Sequence, residues 1–182
     1  MSPNEGIAKV LVSEVELKQI CADLGKQISK DYEGKNLLLV SVLKGAVVFM
    51  ADLLKEITCE CKIDFMAVSS YSGTKTTGVV KFKKDLDVNP DGQDILIVED
   101  ILDSGITLSY LKKVLEDRNA NSIKVCALLD KPANRMADIT ADYVGRVIPD
   151  EFVVGYGLDY NEHFRNLPYV GVLSPSVYTS DK

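Results

Sequence analysis

The fold of this chain is decided by residues 94–111, which read DILIVEDILDSGITLSYL. Four consecutive apolar residues, Ile95 to Val98, have the length expected of a strand buried on both faces of a parallel sheet. A short turn of small and polar residues follows, and leucines at helical spacing come after it at positions 108, 111 and 115. A buried strand, a short turn and an amphipathic helix in this order are typical of an α/β domain.

The turn in this stretch is suited to holding a phosphate group. The first N–H groups of a helix have no partner within the helix, and the helix dipole favours negative charge at that end. Gly105 lets the backbone approach a ligand closely, and Ser104 and Thr107 add hydroxyl donors. The turn consists of Asp103, Ser104, Gly105, Ile106 and Thr107.

Two adjacent carboxylates, Glu99 and Asp100, close the predicted strand. They would repel a phosphate, so they have a use here only if they face a cation or the hydroxyls of a sugar. The alternative is an ordinary strand–turn–helix crossover whose acids are merely solvated. The combination of both acids with the turn and the helix favours the functional interpretation.

The composition limits the classes of protein to consider. Of the 182 residues, 46% are hydrophobic and 26% are charged, as in an ordinary globular protein of one domain. The net charge of −6 argues against broad nucleic-acid binding, because such binding needs a basic face. The charge is compatible with a small basic pocket for an anionic substrate.

The four cysteines, at positions 21, 59, 61 and 126, lie in apolar patterns, and we expect them to be buried and reduced. No apolar run reaches membrane length and the first 12 residues lack the features of a signal peptide. We therefore expect a cytoplasmic protein with no membrane partner. Cys59 and Cys61 cannot complete a zinc site with the single histidine, His163.

Further strands and helices are predicted around the central unit. Ser13 and Glu16 form a capping box at the start of a helix, and a second helix is expected to end near Ile57. Apolar runs and alternating patterns mark the strands. The predicted strands are Asn36–Val42, Lys62–Ser69, Ser122–Leu129, Tyr143–Ile148 and Phe152–Val154, with a last edge strand at Tyr169–Leu173.

Two lysines directly follow predicted strands. Lys44 and Gly45 come after the strand at 36–42, where backbone amides and an ammonium group can converge on an anion. The alternative is a lysine that extends into solvent at the start of a helix. Lys131 comes at the carboxyl end of the strand at 122–129, the edge at which open α/β sheets bind ligands.

The segment at 70–84 differs in character and reads SYSGTKTTGVVKFKK. It is rich in small, hydroxyl and lysine side chains and has little apolar content to pack. One interpretation is a surface hairpin. The other is a mobile lid that closes over a bound substrate and excludes water. Composition alone leaves both open.

The segment at 94–111 closely resembles the phosphoribosyl-pyrophosphate signature of the type I phosphoribosyltransferases. Further segments narrow the resemblance to the hypoxanthine-guanine phosphoribosyltransferases, over roughly residues 37–173. They are Leu43-Lys44-Gly45, Ser70-Tyr71, Lys131 and, within the region 148–165, IPDEFVVGY at 148–156, LDYN at 158–161 and Phe164-Arg165. The resemblance implies a central, mostly parallel sheet flanked by helices, with a small hood and a flexible lid loop. It implies one domain over 1–182, with the lid at about 70–84 and the hood formed by the N-terminal residues and about 149–182.

The same resemblance implies an enzyme of purine salvage. It would transfer 5-phosphoribosyl from phosphoribosyl pyrophosphate to hypoxanthine or guanine, giving IMP or GMP and pyrophosphate. Glu99 and Asp100 would hold the ribose hydroxyls and a magnesium ion attached to them, and residues 103–107 would hold the 5′-phosphate. Asp103 matches the general base at the imidazole nitrogen of the purine. Because aspartate is a weak base at neutral pH, we expect Asp103 to contribute mainly by its position.

Other residues match the purine and pyrophosphate sites. Lys131 would donate to the 6-oxo group, Phe152 would stack on the base, and the Val153 backbone would read its ring edge. Asp159 would lie at the purine site and serve a second magnesium ion. The pyrophosphate-binding residues would be Lys44, Gly45 and Arg165, and the lid would contain Ser70 and Tyr71.

Some consequences follow for selectivity and assembly. A lysine donor mismatches the 6-amino group of adenine, so we expect adenine not to be used. Tyr156 and Phe164 are expected to be packing residues, and His163 is expected to be a surface or packing residue rather than a catalyst. In relatives the peptide between Leu43 and Lys44 can be cis. The resemblance also implies a homo-oligomer, either a dimer or a tetramer.

Two alternatives are weighed against this function. One is a non-catalytic regulator that senses phosphoribosyl pyrophosphate and binds nucleic acid, for which the chain has neither the extra length nor the basic charge. The other is a transferase restricted to xanthine or guanine. The sequence does not rank the substituents at position 2 of the purine.

Overall fold

The computed structural model describes residues 6–70 and 80–179. Nine strands and four α-helices lie within these residues. The strands are β1 (Ile7–Val12), β2 (Leu37–Leu43), β3 (Cys61–Ser70), β4 (Val80–Lys84), β5 (Asp94–Leu102), β6 (Ser122–Asp130), β7 (Tyr143–Val147), β8 (Val153–Val154) and β9 (Val170–Leu173). The helices are α1 (Glu14–Asp31), α2 (Val47–Glu56), α3 (Ile106–Glu116) and the short α4 (Pro175–Tyr178).

The strands form two sheets. The larger sheet has the order β4-β3-β2-β5-β6-β7, in which all neighbours are parallel except β4, which pairs antiparallel with β3. The smaller sheet has the order β1-β9-β8 and is antiparallel. It is built from the N-terminal residues and the C-terminal quarter of the chain, the two parts expected to form a hood. The central, mostly parallel sheet that the sequence predicts is confirmed.

Helices cover both faces of the larger sheet, and its central strands carry buried apolar residues on both faces. In β2, Leu37 and Leu39 point to the core shared with α1 and α2, whereas Leu38 and Val40 point to the core shared with α3. This is the period-two alternation of a strand buried on both faces. The predicted leucine stripe of α3 at 108, 111 and 115 is fully buried in the second core.

Helix α1 begins where its sequence predicts. The Ser13 hydroxyl accepts a hydrogen bond from the Glu16 N–H, and the Glu16 carboxylate accepts one from the Ser13 N–H at 2.8 Å, which completes the capping box. Its buried stripe runs from Leu17 through Cys21 and Leu24 to Ile28. The predicted helix over residues 43–57 is shorter in the structure, because β2 continues to Leu43 and α2 begins only at Val47.

Strand β5 is longer than predicted. The sequence predicts a strand that ends in Glu99 and Asp100, whereas β5 continues past both acids to Leu102. The reason is that β6 continues to pair with β5 beyond the acids, joining Glu99 to Ala127 and Ile101 to Leu129. The acids therefore lie on a rigid strand.

The predicted edge strand at 169–173 is also corrected. Strand β9 is the central strand of the smaller sheet, with β1 on one side and β8 on the other. Strand β1 was not predicted from the sequence, because Lys9 divides its apolar residues and Ala8 to Val10 are all exposed rather than alternating. Since β1 and β8 come from opposite ends of the chain, their pairing through β9 is a long-range effect.

The buried carboxylate of Asp64 anchors the connection between β4 and β5. Asp64 is 4% exposed; its Oδ2 accepts the N–H groups of Asp87 and Val88 at 2.7 and 2.8 Å, and its Oδ1 lies 3.3 Å from Lys84 Nζ. Burial alone would raise the pKa of Asp64, but the hydrogen bonds from the backbone and from Lys84 outweigh it and lower the pKa. This contact holds the C-terminal end of the predicted 70–84 segment, of which Ser70 and residues 80–84 lie in strands and 71–79 lie outside the described residues.

The four cysteines are free, as expected, but only Cys21 and Cys126 are buried. Cys59 and Cys61 are partly exposed, because they lie at and just before the start of β3, where the sheet is less covered. Within residues 6–70 and 80–179, no helix is long and apolar enough to span a membrane.

Candidate active site

The predicted site residues meet at the carboxyl edge of the larger sheet. Strand β2 has β3 on one side and β5 on the other, so the chain reverses its direction of winding between β2 and β5. Ligands bind open α/β sheets at such a reversal. Lys44 follows β2, Asp103 follows β5 and Lys131 follows β6, which places all three at this edge.

The turn after β5 has the geometry of an anion site. Gly105 precedes the first turn of α3 with φ of 76°, in the left-handed region that favours glycine, and it provides no side-chain cap. Ile106 and Thr107, predicted as loop, are the first two residues of α3. Their N–H groups belong to the set that a helix leaves without internal partners. A Cβ at Gly105 would also lie 2.5 Å from Ile139 Cγ2.

A residue that the sequence analysis missed holds this turn in place. Arg135 donates from Nε to the Asp103 carbonyl at 2.8 Å, and from Nη2 to the Leu102 carbonyl at 3.0 Å. Its Nη1 donates to the Ile139 carbonyl at 2.6 Å, and its guanidinium pairs with Asp130. One planar guanidinium therefore fixes the backbone on which the proposed phosphate turn is built.

Lys131 and Asp103 form an ion pair. Lys131 is 8% exposed, and its Nζ lies 3.2 Å from Asp103 Oδ2 and 3.4 Å from Asp150 Oδ1. Asp103 Oδ1 is buried and has no hydrogen-bond partner among the described residues. Asp150 also accepts a hydrogen bond from Asn134 at 2.9 Å. The nearly buried Lys131 ammonium thus pairs with the Asp103 carboxylate, whose second oxygen is free to accept a hydrogen bond.

The two acids of β5 carry raised pKa values. Burial, and secondly the neighbouring Asp100, raise the pKa of Glu99 well above its ordinary value. Burial raises the pKa of Asp100 to about 6, against the effect of a hydrogen bond from the Ile101 N–H. Two desolvated carboxylates side by side are stabilised by a cation.

The donor set fits a magnesium ion. Magnesium is commonly held by one or two carboxylates together with substrate oxygens and water. Glu99 and Asp100 supply the carboxylates at the sheet edge. Among the described residues, no group of three or more acidic, histidine or cysteine side chains is arranged to hold a metal alone.

Gly45 and Gly157 bring the two sides of the site into direct contact. A Cβ at Gly45 would overlap the Asp100 carboxylate, and a Cβ at Gly157 would overlap the Gly45 carbonyl. Gly157 has φ of 101°, which only glycine adopts freely. The peptide between Leu43 and Lys44 is cis, as the resemblance leads one to expect. The turn after β2 is thus packed between β5 and the segment at 155–165.

The predicted pyrophosphate residues are joined by acidic side chains. Lys44 Nζ lies 3.1 Å from both carboxylate oxygens of Glu162. Arg165 Nη2 lies 2.8 Å from Asp159 Oδ1 and 3.3 Å from Glu162 Oε2, and Arg165 Nη1 donates to the Gly157 carbonyl at 2.7 Å. Asp159, predicted as a metal ligand, is therefore paired with an arginine in this structure.

Phe152 is exposed enough to contact a ligand. The side chain lies just before β8 and is 43% exposed. Its ring stacks on Tyr178 at 5.5 Å and meets Tyr160 edge-on at 5.7 Å. Tyr178 covers one face of the ring, so a base would stack on the other. Val153, the next residue, is buried.

The remaining predictions divide between packing and surface. Tyr156 is buried, with its hydroxyl 2.6 Å from Asp52 Oδ2, and His163 is exposed, so both agree with the interpretation from sequence. Phe164 is partly buried. Ser70 ends β3 at the carboxyl edge, and Tyr71 lies outside the described residues.

Arg135, Asp150 and Glu162 are the site residues that sequence reasoning missed. Asp150 and Glu162 lay inside the quoted region 148–165 but were given no role. Arg135 follows Lys131 by four residues, and a short 3-10 helix at Pro132–Asn134 returns it to the sheet edge. Pro132, directly after Lys131, was the sequence signal that the chain turns at this point.

Comparison with known proteins agrees with this geometry. The family described as "Phosphoribosyl transferase domain" matches residues 11–161. Hypoxanthine-guanine phosphoribosyltransferase from Staphylococcus aureus is 52% identical over 96% of this chain and 98% of that protein. The crystal structure of a hypoxanthine phosphoribosyltransferase from Staphylococcus aureus superposes with a TM-score of 0.92 at 52% identity and covers 95% of both chains.

A longer relative matches as well. The bifunctional protein TilS/HprT of Listeria innocua is 55% identical over 98% of this chain. The chain spans only 28% of the length of that protein. Together, the strand–turn–helix unit, the sheet order and these matches show that the chain belongs to the phosphoribosyltransferase family, among the hypoxanthine-guanine phosphoribosyltransferases.

Proposed function

We propose that this protein transfers the 5-phosphoribosyl group of phosphoribosyl pyrophosphate to hypoxanthine or guanine, releasing pyrophosphate and IMP or GMP. The observation that carries the proposal is the pair of Lys131 and Asp103 at 3.2 Å, beside the open first turn of α3. The nearly buried ammonium of Lys131 lies beside the Asp103 carboxylate, and Asp103 belongs to the turn that would bind phosphate. This arrangement suits a 6-oxopurine bound next to a 5-phosphoribosyl group.

The turn at 103–107 positions the sugar. The N–H groups at the start of α3, with the hydroxyls of Ser104 and Thr107, are the donors for the 5′-phosphate. Arg135 holds the backbone of this turn, so the donors are oriented before substrate binds. The ribose then lies over the carboxylates of Glu99 and Asp100.

Asp103 takes part in the bond exchange. The bond between the anomeric carbon and the pyrophosphate oxygen breaks, and a bond from that carbon to a purine nitrogen forms. The purine is a better nucleophile as it loses its imidazole proton, and the unpartnered Oδ1 of Asp103 is the acceptor for that proton. The pyrophosphate leaves with the electron pair of the broken bond.

Glu99 and Asp100 would hold magnesium, and Asp159 would serve a second ion once Arg165 turns away from it. A magnesium ion held there would neutralise negative charge on the pyrophosphate. The raised pKa values of Glu99 and Asp100 support this assignment, because a cation offsets the desolvation of both groups.

Lys44, Gly45 and Arg165 would bind the pyrophosphate group. Two cations converge here on Glu162 from separate segments. Gly45 lets the turn after β2 lie close to the Asp100 carboxylate, where a side chain would not fit. Charge develops on the leaving oxygens in the transition state, and fixed cations stabilise it electrostatically.

Lys131, Phe152 and Val153 would recognise the purine. The Lys131 ammonium donates to the 6-oxo group, and the second contact of its Nζ, with Asp150, keeps it oriented. Phe152 offers one face for stacking. The backbone of Val153 would read the ring edge.

We propose further that residues 1–182 form one domain with a lid at about 70–84. In support, Ser70 ends β3 at the carboxyl edge of the sheet, and β4 returns from that edge beside β3. A closed lid would keep water away from a cation-like ribose. We also propose a homo-oligomer, a dimer or a tetramer, in line with the family resemblance.

A spectrophotometric assay tests the proposed function. The purified protein is mixed with phosphoribosyl pyrophosphate, magnesium and hypoxanthine or guanine, and nucleotide formation is followed with and without chelator. Magnesium-dependent formation of IMP and GMP supports the proposal. Tight binding of phosphoribosyl pyrophosphate with no turnover of any purine would contradict it and favour a sensor.

A further inference from the structure

Glu162 lies between the two cations that the proposed function assigns to pyrophosphate. Both of its carboxylate oxygens are 3.1 Å from Lys44 Nζ, and its Oε2 is 3.3 Å from Arg165 Nη2 and Nε. Lys44 and Arg165 come from segments more than a hundred residues apart, and Glu162 bridges them. An anionic group of the protein itself thus occupies the position at which a phosphate group would contact both cations.

The backbone at Glu162 is held in an unfavourable conformation. Tyr160 and His163 exchange both backbone hydrogen bonds, at 3.2 and 2.9 Å, and Asn161 and Glu162 form the two-residue turn between them. Asn161 has φ of 50° and Glu162 has φ of 66°, so both adopt the left-handed region of a type I′ turn. Asparagine tolerates this conformation, whereas glutamate adopts it less readily.

This conformation directs the Glu162 side chain to the cations. The Glu162 N–H donates to Asp159 Oδ2 at 2.9 Å, which fixes the turn beside Arg165. A glycine or asparagine would be the ordinary residue at this position of the turn. The ion pairs with Lys44 and Arg165 are the compensating contacts that the structure shows for glutamate.

We propose that Glu162 acts as an internal substitute for pyrophosphate, which keeps Lys44 and Arg165 paired in the free protein and leaves them when phosphoribosyl pyrophosphate binds. Its carboxylate then competes with substrate before the reaction and with pyrophosphate after it. The second effect favours release of the product, because Glu162 recovers its two partners as pyrophosphate leaves. This inference rests on the proposed function, since it needs Lys44 and Arg165 to bind pyrophosphate.

The competition is of moderate strength because the groups are accessible to water. The Glu162 and Lys44 side chains are 63% and 66% exposed, and solvent screens such pairs strongly. Two exposed pairs correspond to about a two- to tenfold effect on an equilibrium constant. An effect of this size shifts substrate affinity without blocking the site.

The test compares Glu162→Gln with the wild-type protein and with Glu116→Gln as a matched control. Glu116 is an exposed residue at the end of α3, so the control removes the same charge away from the site. The measurements are the KM for phosphoribosyl pyrophosphate, the inhibition constant of pyrophosphate and the KM for hypoxanthine. We expect the first two to fall by about two- to tenfold in Glu162→Gln only, with the KM for hypoxanthine unchanged.

A second variant, Glu162→Gly, removes the carboxylate and suits the left-handed backbone, so it should tighten pyrophosphate binding in the same way. Unchanged or weaker pyrophosphate binding in both variants would overturn the inference, because Glu162 would then only support the cations. The variant Lys44→Ala distinguishes failure of the inference about Glu162 from failure of the proposed pyrophosphate site. If Lys44→Ala leaves pyrophosphate binding unchanged, the proposed pyrophosphate site itself is wrong.

Discussion

Replacing Arg135 by lysine tests whether the Arg135 guanidinium, which lies outside the turn at 103–107, holds the backbone of that turn in place. The Arg135 side chain is 16% exposed and donates to the carbonyls of Leu102, Asp103 and Ile139 at 2.6 to 3.0 Å. A lysine keeps the positive charge and can keep the ion pair with Asp130. A single ammonium group cannot reach the three carbonyls together.

The expected cost follows from these contacts. A hydrogen bond from a charged donor contributes about 1.5–3 kcal/mol, and water near the surface restores part of each lost bond. The free energy of unfolding should therefore fall by about 2–4 kcal/mol. For a chain of this length, that corresponds to a fall in Tm of roughly 5–15 °C.

The assay is thermal unfolding combined with steady-state kinetics. Because Arg135 fixes the turn that would bind the 5′-phosphate, the KM for phosphoribosyl pyrophosphate should rise at least about tenfold, while the KM for hypoxanthine changes less. Arg118→Lys is the control, since Arg118 makes a bidentate pair with Asp85 at 2.7 and 2.8 Å away from the turn. Equal effects of the two variants on Tm and on KM would refute the reasoning.

Three further predictions concern the turn after β5, the turn after β2 and the connection after β4. Asp103→Asn should lower kcat at least about a hundredfold, because the carboxylate is positioned to accept the purine proton. The affinity for phosphoribosyl pyrophosphate should change little. Steady-state kinetics measure the first effect and binding measurements the second. Gly45→Ala should weaken binding of phosphoribosyl pyrophosphate more than tenfold, since its Cβ would overlap the Asp100 carboxylate. Asp64→Asn should cost about 2–4 kcal/mol at pH 7 by denaturant unfolding, because an amide cannot accept all the bonds that the buried carboxylate accepts. The lowered pKa of Asp64 means that its ionised form stabilises the fold at neutral pH and that this contribution is lost as the pH falls below about 4, so the variant should lose less stability over that range.

Each of these predictions has a clear contrary result. Full turnover by Asp103→Asn would remove Asp103 from the bond exchange. Normal binding by Gly45→Ala would show that the turn after β2 can move away from Asp100. Parallel acid unfolding curves for Asp64→Asn and the wild-type protein would show that Asp64 does not set the acid stability of the fold.

The central strands could be predicted because they are apolar on both faces. The runs at 37–42, 95–98 and 122–129 need no information beyond their own residues to be recognised as buried strands. The turn after β5 could be predicted for a similar reason, since glycine and hydroxyl residues directly after such a strand indicate a tight turn with hydrogen-bond donors. The extension of β5 beyond Glu99 and Asp100 could not be predicted, because it depends on pairing with β6.

The features that could not be predicted depend on distant partners. Arg135 acts through carbonyl groups some thirty residues earlier in the chain, and backbone carbonyls have no signature in sequence. Glu162 takes its position from Lys44, more than a hundred residues away. Strand β1 has no alternation of buried and exposed residues, so its pairing with β9 could not be predicted from its own residues.

The central claim is that Lys131 reads the 6-oxo group of the purine, and its most direct test is selectivity. The measurement is kcat/KM with hypoxanthine and with adenine, for the wild-type protein and for Lys131→Met. The account predicts that the wild-type protein prefers hypoxanthine by at least about a hundredfold and that Lys131→Met reduces this ratio by at least about tenfold. Comparable use of adenine by the wild-type protein, or an unchanged ratio in Lys131→Met, would contradict it.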